Sequence, residues 1–450
     1  MKNDMTTGKP GKLLIGFIIP LFISAVFQQL YTIFDSVIAG RAIGKDALAA
    51  VGVSYPITMI FMAVAIGSSM GASVVISQLF GARRYGELKT AVSTALLTMT
   101  VISAVLTLVG KIASKGMLRF LGTPDNIMKD SATYLDIYIY GLIFLFLYNV
   151  VTGIFQALGN SQIPLFLLIG SSIGNIILDV VFVVNFKMGV AGVGWATFLA
   201  QGVSAVVSFV LLLFYIRRLN LAGDWKKFSL PMLGRISTIA FPGICQQSFV
   251  SVGNLFVQSV INSYGSDVIA GYNVGLKISM FIITCSFSFG NGLGSFAAQN
   301  LGAGKIDRVF EGFRAARRMI YIYIVPCVLV CIFGAKILVG LFLQETDAVA
   351  VETGVMFLWI VSPCYLILMM KFICDNILKA SASMKEFMVT TFSDLIFRVA
   401  FAYILAPFGS NAIWFAWPIG WCVGSFFAVY VYKKKGWMRN WVREERIGGV

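Results

Sequence analysis

Twelve stretches of eighteen or more largely apolar residues, each closed by glycine, proline or charge, run along this chain, and a soluble fold has no place to bury so many. A bilayer core about 30 Å thick is crossed by about 20 helical residues, so each stretch is expected to be a transmembrane helix. The expected spans are residues 13–39, 53–78, 91–112, 131–157, 163–186, 190–216, 235–261, 270–298, 315–343, 351–378, 386–408 and 411–432. Composition agrees, with 58% hydrophobic and 12% charged residues where soluble domains carry about 25% charged. The chain is therefore read as an all-α polytopic membrane protein. The polar start, Met1–Lys12, leads into an apolar run that continues through Gln28, Gln29 and Asp35, so no removable signal peptide is expected.

An even number of spans puts both termini on one face, and loop charge says which. Of 35 Lys and Arg, 24 fall on the terminal face and 8 on the other, leaving Lys277, Lys371 and Arg398 inside spans. Positive loops stay inside, so both termini are expected in the cytoplasm of a multi-pass protein of the cell's inner, plasma membrane. The net charge of +15 follows from this bias and calls for no nucleic acid. The basic stretch from Lys433 reads as an anchor beside anionic membrane lipid.

Enzyme chemistry finds little support. Histidine is absent, which removes the commonest general base and metal ligand, and there is no GxSxG motif. Seven cysteines, Cys245, Cys285, Cys327, Cys331, Cys364, Cys374 and Cys422, all lie in apolar stretches without a CxxC pair and read as core residues. No cofactor is expected beyond a coupling ion.

A repeat organises the spans. GKDALAA at Gly44–Ala50 recurs as GSDVIAG at Gly265–Gly271, and QLFGARR at Gln78–Arg84 recurs as QNLGAGK at Gln299–Lys305. Both pairs share one offset, since 265 minus 44 and 299 minus 78 are each 221. Two six-helix copies of equal orientation follow, related by an axis along the membrane normal. The expected domains are a lobe at 1–216, a cytoplasmic linker at 217–234, a second lobe at 235–432 and a basic tail at 433–450.

A charge at mid-membrane depth costs about 2.5 to 3.5 kcal/mol on insertion scales and needs a partner, a cavity or a task. Lys371 with Asp375, and Asp394 with Arg398, stand four residues apart on one helix face and read as mainly structural pairs. Asp35 and Asp179 have no basic residue within a turn of their own helices. At 1.5 Å per residue both carboxylates lie about 6 to 11 Å below the outer membrane face. Thr197, Tyr134 and Tyr138 reach the same layer, and Asn175 shares a helix face with Asp179. Oxygen ligands and paired carboxylates suit a hard monovalent cation or a shared proton, so Asp35, Asn175, Asp179 and Thr197 are candidate Na⁺ ligands and Tyr134 or Tyr138 a further wall. Gln28, seven residues before Asp35, points the same way. Pro20 inside the first span favours a bend.

In these residues the chain resembles the multidrug and toxic compound extrusion family, MATE, and within it the DinF-like prokaryotic branch. The resemblance rests on PLFISAVFQQLYTIFDSVIAG at Pro20–Gly40, GKDALAAVGVSYP, QLFGARRYGE, FQALGNSQIP and GNIILDVVF. It implies two six-helix lobes in a V shape and cation-coupled antiport, against H⁺ or Na⁺, of amphipathic organic cations by alternating access. It also implies first-lobe pocket roles for Asp35, Gln28, Tyr134, Asn149, Asn175, Asp179 and Thr197, with Tyr138 as the alternative tyrosine, and a bending role for Pro20. Ser172 joins Gln28 and Asn149 in the expected substrate cavity. The seventh span, PGICQQSFVSVGN, lacks the acid that some branches place there. A monomer handling small molecules is expected; the alternative is a lipid-linked oligosaccharide flippase of the same superfamily.

Overall fold

Apolar sequence without strand periodicity folds here into helices that, singly or as consecutive pairs, are long enough to cross a bilayer. The computed structural model describes residues 4–42, 45–219, 223–343 and 347–438, and the side chains of residues 33–48 lie outside the described set. The first six spans are α1 (Pro10–Ala42), α2 (Lys45–Gly81), α3 (Tyr85–Phe120), α4 (Asp125–Tyr140) continued by α5 (Leu142–Ala157), α6 (Gln162–Asp179) and α7 (Gly189–Arg218). The second six begin with α8 (Leu230–Ile261), α9 (Ser266–Gly302) and α10 (Ile306–Phe333) with the short α11 (Ala335–Gly340). They end with α12 (Ala348–Val361) continued by α13 (Tyr365–Ala380), then α14 (Met384–Leu405), and α15 (Ser410–Ile413) with α16 (Ala416–Lys433). Ten of the described spans are long and apolar enough alone, and α4 with α5 makes an eleventh, bent by 46° at Gly141. The twelfth, α8, spends part of its length on Gln246, Gln247, Ser248, Ser251, Asn254 and Gln258. Outward-facing Leu108, Ile112 and Phe120 on α3 are the exposed apolar surface that lipid requires.

Contacts divide the chain into two units inside helices rather than at a loop. One unit takes the described residues of Ile23–Cys245; the other takes Met5–Phe22 and the described residues from Gln246 onward. This differs from a boundary in the 217–234 linker. The stem of α1 belongs with the second unit and its remainder with the first, while α8 changes allegiance the other way. Each change follows a proline, two residues past Pro20 in α1 and three past Pro242 in α8. Proline removes an N–H and crowds the preceding turn, so both helices are weakest where they leave one packing environment for the other.

The duplicated QLFGARR and QNLGAGK sequences are helix ends with one shared geometry. Arg83 has φ +58° and Gly304 has φ +70°, and each turn is closed by three equivalent backbone hydrogen bonds. In the first unit Gln78 Oε1 accepts from Arg235 Nη2 at 2.9 Å, and Thr90 Oγ1 accepts from the Lys226 N–H at 3.0 Å, holding the segment that enters α8. In the second unit Gln299 Oε1 accepts from the Met5 N–H at 3.1 Å while Arg308 Nη1 donates to Gly8 O at 2.9 Å, holding the segment that enters α1. The repeated glutamine is thus a clasp near the start of the helix that will change units, on Arg235 in the second turn of α8 and on Met5 just ahead of α1.

A second pair of turns extends the internal match. Gly159 (φ +78°) and Ala382 (φ +55°) follow Ala157 and Ala380, and 382 minus 159 is 223. The N–H of Leu158, Gly159 and Asn160 donate to Ile154, Gln156 and Phe155 as those of Ser381, Ala382 and Ser383 donate to Ile377, Lys379 and Leu378. Left-handed backbone costs an alanine more than a glycine, so Ala382 in this state shows how firmly the turn is retained.

Candidate functional site

In the first unit, a hollow open on one side lies among α1, α5, α6 and α7. Gln28 and Tyr31 reach it from α1, Tyr148 from α5, Ser171, Ser172 and Asn175 from α6, and Thr197, Gln201 and Ser204 from α7. Among the described lining residues none is acidic or basic. Asp179 closes α6 one turn beyond Asn175, 1% exposed.

Asn175 organises this corner. In the amide orientation that gives each atom a complementary partner, its Nδ2 donates to Asp179 Oδ2 at 2.9 Å and to Tyr31 Oη at 2.7 Å, while its oxygen accepts from the Thr197 N–H at 3.1 Å. One buried amide therefore ties α1, α6 and α7 to the carboxylate. Immediately past Asp179, Val180–Asn185 winds as a π-helix, with Phe186 N–H donating to Val181 O at 3.0 Å. Such wide turns are rare and concentrate at functional sites, and this one sets the acid at a change of helical register.

A second, much smaller cleft lies against the first, and Thr197 and Gln201 line both. Tyr134 and Tyr138 line this smaller space beside Gly141, where the fourth span bends.

The expected residues therefore fall into groups. Gln28, Ser172, Asn175 and Thr197 share the larger cavity, with Asp179 bonded to Asn175. Tyr134 and Tyr138 are both one wall away. Asn149 knits helices instead: its Nδ2 donates to Leu145 O at 2.8 Å, and its carbonyl accepts from Ser69 Oγ of α2 at 2.7 Å. Pro20 is buried in α1 just before the helix changes units. The side chain of Asp35 lies outside the described residues. In the amide orientation given above, the Asn175 nitrogen faces the Asp179 carboxylate and its oxygen is taken by the Thr197 N–H, so of the expected Na⁺ ligands Asp179 is the one whose described oxygen atoms carry ionisable charge at this corner.

Sequence reasoning passed over Tyr31, Tyr148, Gln201 and Ser204. Tyr31 was legible in principle, standing three residues after Gln28 and four before Asp35 on one helical stripe. Ser204 Oγ, buried and without a hydrogen-bond partner in the structure, carries no comparable signal.

Two six-helix copies with a buried acid beside a polar hollow in one of them have the build of a membrane transporter. The chain belongs to the MatE family, matching it over residues 20–181 and again over 242–404. It is 29% identical to the probable multidrug resistance protein YoeA of Bacillus subtilis, over 94% of this chain and 93% of that one. It is 28% identical to the probable multidrug resistance protein YpnP of the same organism, over 96% and 97%. A crystal structure of MATE in complex with MaL6 superposes with a TM-score of 0.90 at 21% identity, covering 99% of this chain and 100% of that chain. The fold is accordingly the twelve-helix, two-repeat architecture of that family.

Proposed function

We propose that this chain is a cation-coupled antiporter that exports amphipathic organic cations and drugs by alternating access, with Asp35 and Asp179 exchanging H⁺ or Na⁺. The observation that carries this reading is the buried Asp179 carboxylate, held by Asn175 at the edge of a hollow whose described lining is of amides, hydroxyls and phenols without a basic side chain. A carboxylate at membrane depth is stabilised by binding a cation, and binding there changes what Asn175 can offer Tyr31 and Thr197. The proton or Na⁺ thus bears directly on three helices. The aromatic rings of Tyr31 and Tyr148 suit an organic cation, and a lining without Lys or Arg among the described residues suits an anionic lipid-linked saccharide poorly. The relatives' multidrug names agree with an export task.

The same reading makes the chain a monomer in the plasma membrane with cytoplasmic termini, Pro20 the bending point of α1, and Gln28 and Ser172 substrate contacts. Proteoliposomes with separately imposed Na⁺ and H⁺ gradients test it. Asp35→Asn and Asp179→Asn are expected to abolish gradient-driven ethidium efflux in folded protein; undiminished efflux by either would remove the scheme.

A further inference from the structure

The second unit holds a counterpart of the cavity, and it is filled. Carrying the 223-residue offset of the Gly159 and Ala382 turns along the adjoining helices pairs Tyr148 with Lys371, Ser171 with Asp394, and Asn175 with Arg398. The last span is offset by 220, since positive-φ Gly189 and Gly409 precede it and its copy, which pairs Ala200 with Gly420 and Ser204 with Gly424. Five positions that line the hollow of the first unit thus correspond to three charges and two glycines in the second.

Those charges form one buried cluster. Lys371 Nζ donates to Asp375 Oδ2 at 2.7 Å and stands 3.9 Å from Asp394 Oδ2, with side-chain exposures of 6%, 6% and 11%. Thr390 Oγ1 donates to Asp375 Oδ1 at 2.7 Å. Arg398 Nε is 4.0 Å from Asp394 Oδ1, and neither atom has a hydrogen-bond partner. Packing seals the stem of the lysine, because a Cβ on Gly424 would come within 2.8 Å of Lys371 Cε and 2.7 Å of Asp394 Cβ. The ammonium therefore sits between two carboxylates, one of them braced on its other oxygen by Thr390, and carboxylate oxygens are what a free hard cation would want.

We propose that Lys371 is a tethered cation permanently occupying a cation site formed by the carboxylates of Asp375 and Asp394, with Thr390 orienting Asp375, so that the second unit stays loaded and the chain exchanges a coupling ion only in the first. The statement about exchange rests on the function proposed above; the occupied site does not. Two carboxylates deprived of their ammonium in so dry a place must recruit another monovalent cation or lose the fold. Lys371→Ala removes three carbons and the nitrogen, which is the outline of n-propylammonium.

Thermal melts of the full chain in choline, sodium or n-propylammonium chloride at one alkaline pH test this, in an Asp179→Asn background that silences the first unit. Lys371→Ala is expected to melt about 2 to 4 °C higher in sodium or n-propylammonium than in choline, while the parent shows no such gain. The double variant Lys371→Met, Asp375→Asn, with a carboxylate removed along with the ammonium, is expected to fold and lose the gain. A folded Lys371→Ala indifferent to the cation would overturn the proposal, as would an equal response in the double variant. Failure of Lys371→Ala to fold in every salt would overturn it too, making Lys371 a packing residue. Transport is not read in these melts, so their outcome and that of the efflux experiment stand apart.

Discussion

The first unit keeps a hollow where the second keeps charge. Tyr148, Ser171, Asn175, Ala200 and Ser204 line an open hollow, while Lys371, Asp394, Arg398, Gly420 and Gly424 close upon one another. The acid moves as well: on the same offset Asp179 corresponds to Ala402, which is fully buried, and the acids of the second unit sit elsewhere, at Asp375 and Asp394. Duplication preserved turns, clasps and crossing helices but left one copy with an open hollow and the other braced by buried charge. A buried carboxylate tells little about its task until its nearest cation is known.

The sharpest way to break this contrast is to neutralise one acid in each unit. Asp394→Asn is expected to cost about 3 kcal/mol of stability by leaving buried Lys371 and Arg398 with a single carboxylate, read in denaturant melts. Asp179→Asn keeps an acceptor for Asn175 and is expected to cost under about 1 kcal/mol while ending coupled efflux. Equal costs would erase the distinction. Exchanging residues at the glycine positions comes next. Gly424→Ser forces a Cβ onto Asp394 and Lys371 and should destabilise by about 1 to 3 kcal/mol. Its mirror, Ser204→Gly, should cost about 1 kcal/mol or less, through helix propensity alone.

Smaller effects sharpen what the copies share. Gln78→Ala and Gln299→Ala should each cost about 1 kcal/mol and should expose, respectively, the start of α8 and the segment ahead of α1 to limited proteolysis. If only one of them does so, the clasps are not equivalent. Smallest is Ser204→Ala, expected within about 0.5 kcal/mol of the parent because its hydroxyl has no bond to lose, with altered drug preference as the readable change.

Much of this architecture is written plainly in the chain. Apolar runs reveal the spans because lipid demands them, and a 221-residue echo reveals the copies because helix-end geometry is retained. Asn175 and Asp179 were visible as neighbours on one helical face. The ties from Asn175 to Tyr31 and Thr197 were not, since they join helices whose relative rotation no local pattern encodes. The same holds for Lys371 and Asp394: each pair four residues apart is legible, whereas the approach of one pair to the other belongs to the packing of α13 on α14. Nor does hydropathy betray that α1 and α8 change units midway, because both halves of each helix are membrane-spanning sequence.

Those two crossing helices reach back to how such a chain could arise. A half-length ancestor built on this plan would have lacked the stem of its own first helix, and only a second molecule lending that stem in exchange would have completed it. Fusion of two such genes turns a mutual loan between strangers into a single covalent thread. Severed today between Arg218 and Leu230, the two fragments are expected to reach a protease-resistant state only when synthesised together, each finishing the other.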